Sequence, residues 1–442
     1  MLVDQITLND LAIFHPEEEY SIFHRLNFTQ TNIGKEWLRH FFSEPLSDIE
    51  KILGTQRILR TLMARAAEWP KDISNGTMHV IDRFFDYQLG FISSSHNKVS
   101  ALTYRLFNSG DYSMIRYSVM HFADFYRGLK VLLGLLQHTE LPRQLAAHLE
   151  RIDSLLREKP LAELAALDPK QKLSIKENLY FAYYLRGAYK SRTFELIDIF
   201  GRLEAWHSMA LAMQRFGLQF PEFVAGTQPQ LHSKGLYHVL LRQPVAYDLL
   251  MDPTQNFVFL TGANMAGKST LIKATGAAVY LAHLGMGVPA AQMRLTLFDG
   301  LLSNINVTDN IVKGESYFYN EVQRIKNTIV KINDGGKWLV LIDELFKGTN
   351  MQDAMKCSLT VIKGLVKMHN SLFILSTHLY EIGEELRVYP NIAFKYFETT
   401  VENDQLSFSY QLREGISNDR IGYVILRREK VVDLLESLGG NV

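Results

Sequence analysis

Phe257-Val258-Phe259-Leu260-Thr261-Gly262-Ala263-Asn264-Met265-Ala266-Gly267-Lys268-Ser269-Thr270 decides the fold of the second half of this chain. A short apolar run enters a glycine loop, and a helix-compatible stretch, Lys268–Leu284, leaves it. The loop matches the phosphate-binding pattern G-x-x-x-x-G-K-[ST], whose parts each have a physical task. The glycines let backbone amides curl around phosphates, and the helix that follows presents its positive N-terminus. Lys268 would reach the outer phosphates of a nucleotide, and the Ser269 hydroxyl would ligate Mg2+. A chance match is the alternative, and the strand–loop–helix setting weighs against it.

Two more apolar runs follow. Trp338-Leu339-Val340-Leu341-Ile342 ends in Asp343-Glu344, 75 residues after Lys268, and Ser371-Leu372-Phe373-Ile374-Leu375 ends in Ser376-Thr377-His378. Continuous apolar runs of this length suit buried parallel strands, so the second half is predicted to be an α/β domain with helices on both sheet faces. An acid at a strand end beside the loop, Asp343, can hold Mg2+, and Glu344 can polarise an attacking water. Taken alone, two acids after a strand also serve as a helix N-cap. His378 can sense the γ-phosphate or orient that water, although a lone histidine at a strand end is commonly a loop residue. Between the loop and the acids, Gly314-Glu315-Ser316-Tyr317-Phe318 reads as a turn before an amphipathic helix, Tyr319–Ile332, and Cys357 as a small core residue.

Outward from these motifs, the chain has 442 residues, 47% hydrophobic and 21% charged, enough for about three domains and a sizeable core. Disorder, collagen and disulfide scaffolds are excluded. Basic and acidic residues balance at 47 each, with 20 basic and 21 acidic from Leu236 onward, so neither half carries the positive excess of many nucleic-acid binders. The single cysteine fits a reducing compartment, and Asp4 and Asp10 sit where a signal peptide would be basic and apolar. With no apolar run near the ~18–20 residues of a membrane span, the expected location is the cytoplasm.

The first half reads as helical. Ser47-Asp48-Ile49-Glu50 has capping-box form ahead of a periodic apolar stretch closed by Pro70, and Met114–His138 and Leu141–Lys159 share the periodicity. Between Pro169 and Pro221 one or two long helices are expected, bent near Gly187 or Gly201. The boundary is placed near Gly235, giving a helical domain over 1–235 and the α/β domain over 236–442.

In this order, the motifs resemble the MutS family of mismatch-repair ATPases. Thr261–Thr270 is similar to that family's TG-x-NM-x-GKST loop, Leu284–Ala290 to the end of its next helix, and Asp343–Thr349 to its DE-x-x-x-GT segment. Thr308-Asp309 through Gly314–Phe318, with Glu321, resembles its D…GRSTF…E signature, and Ser376-Thr377-His378 its switch. Glu315 and Tyr317 depart from that signature, and Tyr247 stands where Asn is usual in the adenine pocket. In the first half Asn27–Leu46, with Gly34, Leu38 and Pro45, resembles the start of the family's lever domain, and Leu203–Ala210 its last long helix.

The resemblance implies a short form: an all-α lever/core domain without the clamp, then a P-loop, ABC-type ATPase, with no mismatch-reading or connector domain. It implies ATP and Mg2+ as ligands and a homodimer through the ATPase domain. Gly262, Ala263, Asn264, Met265, Ala266, Gly267, Lys268, Ser269 and Thr270 would bind nucleotide, Ser269 and Asp343 the metal, and Ser316 the partner's γ-phosphate in trans. Lys268, Glu344 and His378 would carry hydrolysis. The expected role is mismatch repair or related DNA maintenance, with weak, salt-sensitive DNA binding that shows little mismatch preference. The alternative is an ATP-switched scaffold whose helical half binds protein.

Overall fold

The structure, a computed structural model, describes residues 1–94, 97–136, 140–263, 265–306, 317–402 and 405–417, together with Leu426, Lys430, Val431 and Leu434. The chain forms two compact units. One is Met1–Arg25, Glu44–Ile52 and Phe216–Val442; the other is Leu26–Ser43 and Leu53–Arg215. The expected boundary near Gly235 thus falls inside the first unit, and two N-terminal segments join that unit from far away in sequence.

The first unit is mixed α/β. Its strands are β1 (Leu2–Val3), β2 (Glu222–Phe223), β3 (Leu231–Leu236), β4 (Tyr247–Met251), β5 (Phe257–Thr261), β6 (Gln292–Leu295), β7 (Gly300–Asn304), β8 (Trp338–Asp343), β9 (Ser371–Ser376), β10 (Ile392–Glu402) and β11 (Gln405–Glu414). A seven-stranded sheet runs β1-β7-β8-β9-β5-β10-β11, and a four-stranded sheet runs β2-β6-β3-β4. In the larger sheet every neighbour pair is parallel except β10–β11. The three apolar runs are its central strands β8, β9 and β5, as their fully buried sequences require. One face packs Phe257, Phe259, Trp338, Val340 and Phe373 against Ile325 and Ile332 of the helix Tyr317–Ile332 and Ile362 and Leu365 of the helix Met351–Leu365. The helix Lys268–His283 is buried nearly all round, which its small residues Ala274, Gly276, Ala277 and Ala278 permit.

The N-terminal residues complete the sheet edge. Leu2 and Val3 pair with Gly300 and Leu301 of β7. Asp4 caps the helix Gln5–Asp10 through the Thr7 amide (2.9 Å), and Thr7 Oγ1 accepts from Ser303 N (2.9 Å). Buried Asp10 accepts from Ser303 Oγ (2.6 Å) and from the amides of Ile305 (3.0 Å) and Asn306 (3.1 Å). Arg324 then bridges Asp4 (2.6 Å), Asn304 Oδ1 (3.0 Å) and Ser303 O (2.6 Å). The segment MLVDQITLND, polar and short, is structural in this unit.

The second unit is helical, with long helices Ser109–Leu136 and Lys190–Phe216. The stretch after Pro169 breaks at Gly187, which ends the helix Ile175–Arg186, and runs unbroken through Gly201. Gly201 serves close approach instead of a bend: a Cβ there would meet Trp37 at 2.6 Å and Ile33 at 2.8 Å on the helix Asn32–Ser43. At the helix Ile49–Met63, Asp48 takes the cap expected of Ser47, accepting from the Glu50 amide at 2.8 Å.

Gly34 and Glu204 form one device. Glu204, buried, accepts from the amides of Gln30 (2.6 Å) and Thr31 (3.0 Å) and from the Thr31 hydroxyl. Burial raises its pKa, opposed by these donors. A Cβ on Gly34 would lie 2.0 Å from Glu204 Oε2, and the pinned carboxylate has no room to swing. Gly34→Ala is therefore expected to cost on the order of 3 kcal/mol, through overpacking and broken hydrogen bonds. Urea unfolding checks this, and an unchanged midpoint would rule the packing argument out.

Candidate functional site

The carboxyl ends of β5, β8 and β9 lie side by side, and the motif residues follow each of them. Ligands of open α/β sheets bind outside such ends. After β5, Gly262 (φ 132°) and Gly267 (φ 114°) take left-handed conformations, and Met265 joins them at φ 70°. Ala263 and Ala266 are buried, Met265 is 70% exposed, and Asn264 lies outside the described residues. Lys268 folds back onto its own loop, donating to Gly262 O (2.7 Å) and Ala263 O (3.0 Å). Burial pushes the Lys268 ammonium down to about 8, against the pull of Glu344 and Asp343. A buried cation short of countercharge is a receptor for an anion.

After β8, Asp343 Oδ2 accepts from Ser269 Oγ (2.5 Å), while its Oδ1 accepts from Ser376 Oγ at the end of β9. A hydroxyl and a carboxylate held together form an all-oxygen donor pair suited to Mg2+. Glu344 sits at φ 66°, a conformation a non-glycine residue holds only under constraint. The constraint is visible: its amide donates to Ser376 O (3.0 Å), and its side chain is held from both sides. His378 Nε2 meets Oε1 at 2.6 Å and Lys347 Nζ meets Oε2 at 3.2 Å. Burial raises the Glu344 pKa, but His378 and Lys347 outweigh it and bring the carboxyl to about 2.

A cavity of about 590 Å3 joins these groups. Lys268, Ser269, Thr270, Asp343, Glu344 and Lys347 give it a polar and charged lining, and Leu241, Val245, Tyr247 and Tyr410 an apolar and aromatic one. Tyr247 is brought in by β4 and packs edge-on against Phe397 of β10 (5.5 Å). A cavity lined in this way can hold a ligand that carries both an anion and a planar ring.

The structure therefore brings together Gly262, Ala263, Met265, Ala266, Gly267, Lys268, Ser269, Thr270, Asp343, Glu344 and His378. Ser316, with Thr308, Asp309, Gly314 and Glu315, lies outside the described residues. Sequence reasoning missed Lys347 and Tyr410. It also gave no task to Glu321, a buried side chain on the helix Tyr317–Ile332 that accepts from the amides of Lys347 (3.1 Å) and Gly348 (3.2 Å). Glu321 thereby fixes the loop that carries Glu344.

Comparison with known proteins bears on the same region. The family model for MutS domain V matches residues 258–433. The DNA mismatch repair protein MutS of Pseudothermotoga lettingae is 27% identical over 256 residues, 54% of this chain and 31% of that protein. MutS of Thermotoga maritima is 25% identical over 249 residues, 55% of this chain and 31% of that protein. The DNA mismatch repair protein spellchecker 1 of Drosophila melanogaster is 30% identical over 172 residues, 39% of this chain and 18% of that protein. The matched stretch spans less than a third of each of these relatives. The MutS resemblance carried by the motifs stands on these matches. Among the described residues no helix is long and apolar enough to cross a membrane.

Proposed function

We propose, from a second half that matches MutS domain V, that this chain is a MutS-like cytoplasmic ATPase whose nucleotide state switches a homodimer in mismatch repair or related DNA maintenance. The observation that carries the reading is the convergence of Lys268, the Ser269–Asp343 pair and the Glu344–His378 pair on one cavity. The loop amides and the Lys268 ammonium bind the phosphates, Lys268 exchanging two carbonyl oxygens for phosphate oxygens. Ser269 and Asp343 hold Mg2+, which neutralises phosphate charge when bound. Glu344 accepts a proton from water as the water oxygen bonds to the γ-phosphorus and the bond to ADP breaks. His378 orients Glu344. The apolar lining, with Tyr247 and Tyr410, receives the base.

Lys268→Ala is the direct test. Nucleotide affinity is expected to fall by about 100-fold or more, since a buried charge facing the phosphates is removed. Unchanged affinity would remove the loop from the site. Ser316, carried over from the family signature, is assigned to the partner's site. Mixing Ser316→Ala and Lys268→Ala subunits is then expected to restore up to about half the wild-type turnover per heterodimer, since one composite site keeps both groups. Turnover equal to the sum of the separate variants, with sedimentation showing a monomer in ATP, would remove the shared site.

One observation favours a second reading, an ATP-switched scaffold. Val99, Leu102 and Leu106, at helical spacing on the helix Lys98–Phe107, are 73%, 49% and 70% exposed. A face of that kind suits a protein partner. DNA binding at two salt concentrations, with and without ATP, separates the readings, because phosphate contacts weaken with salt.

A further inference from the structure

The helical unit holds a second cavity, of about 640 Å3. The helices Lys98–Phe107 and Ser109–Leu136 and the turn 169–174 leading into the helix Ile175–Arg186 enclose it. Arg105, Arg116, Lys170 and Lys172 line it, and no carboxylate does among the described lining residues. None of these cations makes an ion pair among the described residues; Arg105 only lies over the Tyr112 ring, at 5.7 Å. Glu177, in the first turn of the adjoining helix, is engaged by the Ser174 amide (2.7 Å). Like charges gathered around one hollow repel, and a polyanion placed among them removes that cost.

Neutral groups in the wall narrow the choice of anion. Asn178, 1% exposed, donates through Nδ2 to Leu173 O (3.2 Å) and Ser174 O (2.9 Å), while its buried Oδ1 has no partner. His121 Nδ1 is also buried without a partner. A buried acceptor calls for a donor. Tyr117, 59% exposed, meets His121 edge-on at 4.7 Å and offers an open ring face.

We propose that this cavity binds a free nucleotide, with its phosphate on the cations, its base against Tyr117 and a hydroxyl or amine donating to Asn178 Oδ1. The volume falls within the ~300–1,000 Å3 of small-ligand sites. Inorganic phosphate or pyrophosphate would neutralise the cations and leave Asn178 Oδ1 without a donor. The inference is independent of ATP hydrolysis at the glycine loop.

The test titrates AMP into the full chain carrying Lys268→Ala, with and without Arg116→Glu and Lys170→Glu. Both positions are exposed, so the reversals leave the fold intact, as an unchanged melting temperature would verify. Saturable AMP binding is expected, weakened at least about tenfold by the double reversal and less by the milder Lys172→Ala. Tyr117→Ala is expected to weaken it about threefold or more through lost stacking, and pyrophosphate is expected to compete less well than AMP. Residual AMP binding at the glycine loop would not respond to the reversals, so the two sites remain distinguishable. ATP turnover of the reversed protein without Lys268→Ala should stay at the wild-type level. No saturable AMP binding, binding indifferent to the reversals, or pyrophosphate competing as well as AMP would overturn the proposal. So would a ten-nucleotide single strand that binds at this cavity without AMP displacing it.

Discussion

Glu344→Gln is expected to lower ATP turnover by about 100- to 10,000-fold while ATP remains bound, because the amide keeps the shape of the side chain and loses the proton acceptor. The geometry places most of the effect on the chemical step, with a smaller one on binding through the pull of Glu344 on Lys268. Among the described residues Glu344 makes no hydrogen bond to the glycine loop, and its partners are His378, Lys347 and the Ser376 carbonyl. Its acidity adds a pH signature. With the carboxyl at about 2, Glu344 stays ionised throughout the range in which the protein would be assayed, so its protonation sets no acid limb near pH 4 or 5. The same pairing stabilises the fold above the ordinary carboxyl value of 4.5, and that contribution is lost as pH falls toward about 2. Single-turnover hydrolysis with ATP-binding measurements decides the matter. A variant that hydrolyses at the wild-type rate would transfer the role of base to another group.

Asp10→Ala is expected to destabilise the α/β unit by on the order of 3 kcal/mol or more, since the Ser303 hydroxyl and the Ile305 and Asn306 amides lose a buried acceptor together. Asp10→Asn keeps an acceptor oxygen and should cost less. The variant should also lose turnover at temperatures where it remains folded. Ile305 and Asn306 lead into the segment that contains Ser316, and Asp10 fixes the point of entry. Urea unfolding followed by circular dichroism, paired with turnover at low temperature, separates the two effects. An unchanged unfolding midpoint would mean that water satisfies these groups as well as Asp10 does.

The central strands and the glycine loop were legible because each carries its information locally. Apolar runs that end in glycine or acid identify β5, β8 and β9 whatever surrounds them. The edge was not legible. Leu2–Val3 is too short to show a period, and Gly300–Asn304 mixes glycine, serine and asparagine with two leucines. Leu2–Val3 is a strand only because it finds β7 across the chain, and β7 because it also pairs along its whole length with β8. Tyr410 did have a signal, the polar–apolar alternation of Ser407-Phe408-Ser409-Tyr410-Gln411-Leu412, which marks a two-faced strand such as β11. Nothing local marks Glu321 as a partner of the Glu344 loop, since that relation exists only once the helix Tyr317–Ile332 packs against the sheet. Lys347, three residues after Glu344, did have a local signal in its opposite charge. Gly201 was open to opposite readings, and the bulk of Trp37 and Ile33 on a neighbouring helix selects close approach.

The pairing of Leu2 with Gly300 also sets a timetable for the chain's birth. At synthesis rates of about 5–20 residues per second, the first strand emerges roughly 15–60 s before its partner leaves the ribosome. Throughout that interval Leu2, Thr7 and Asp10 have none of the β7 contacts that later bury or bond them. The helical unit, whose segments end at Arg215, is by then fully made. The nascent α/β unit must therefore keep Leu2–Asp10 available and unaggregated while the whole helical unit is produced, and holding factors would act on those residues.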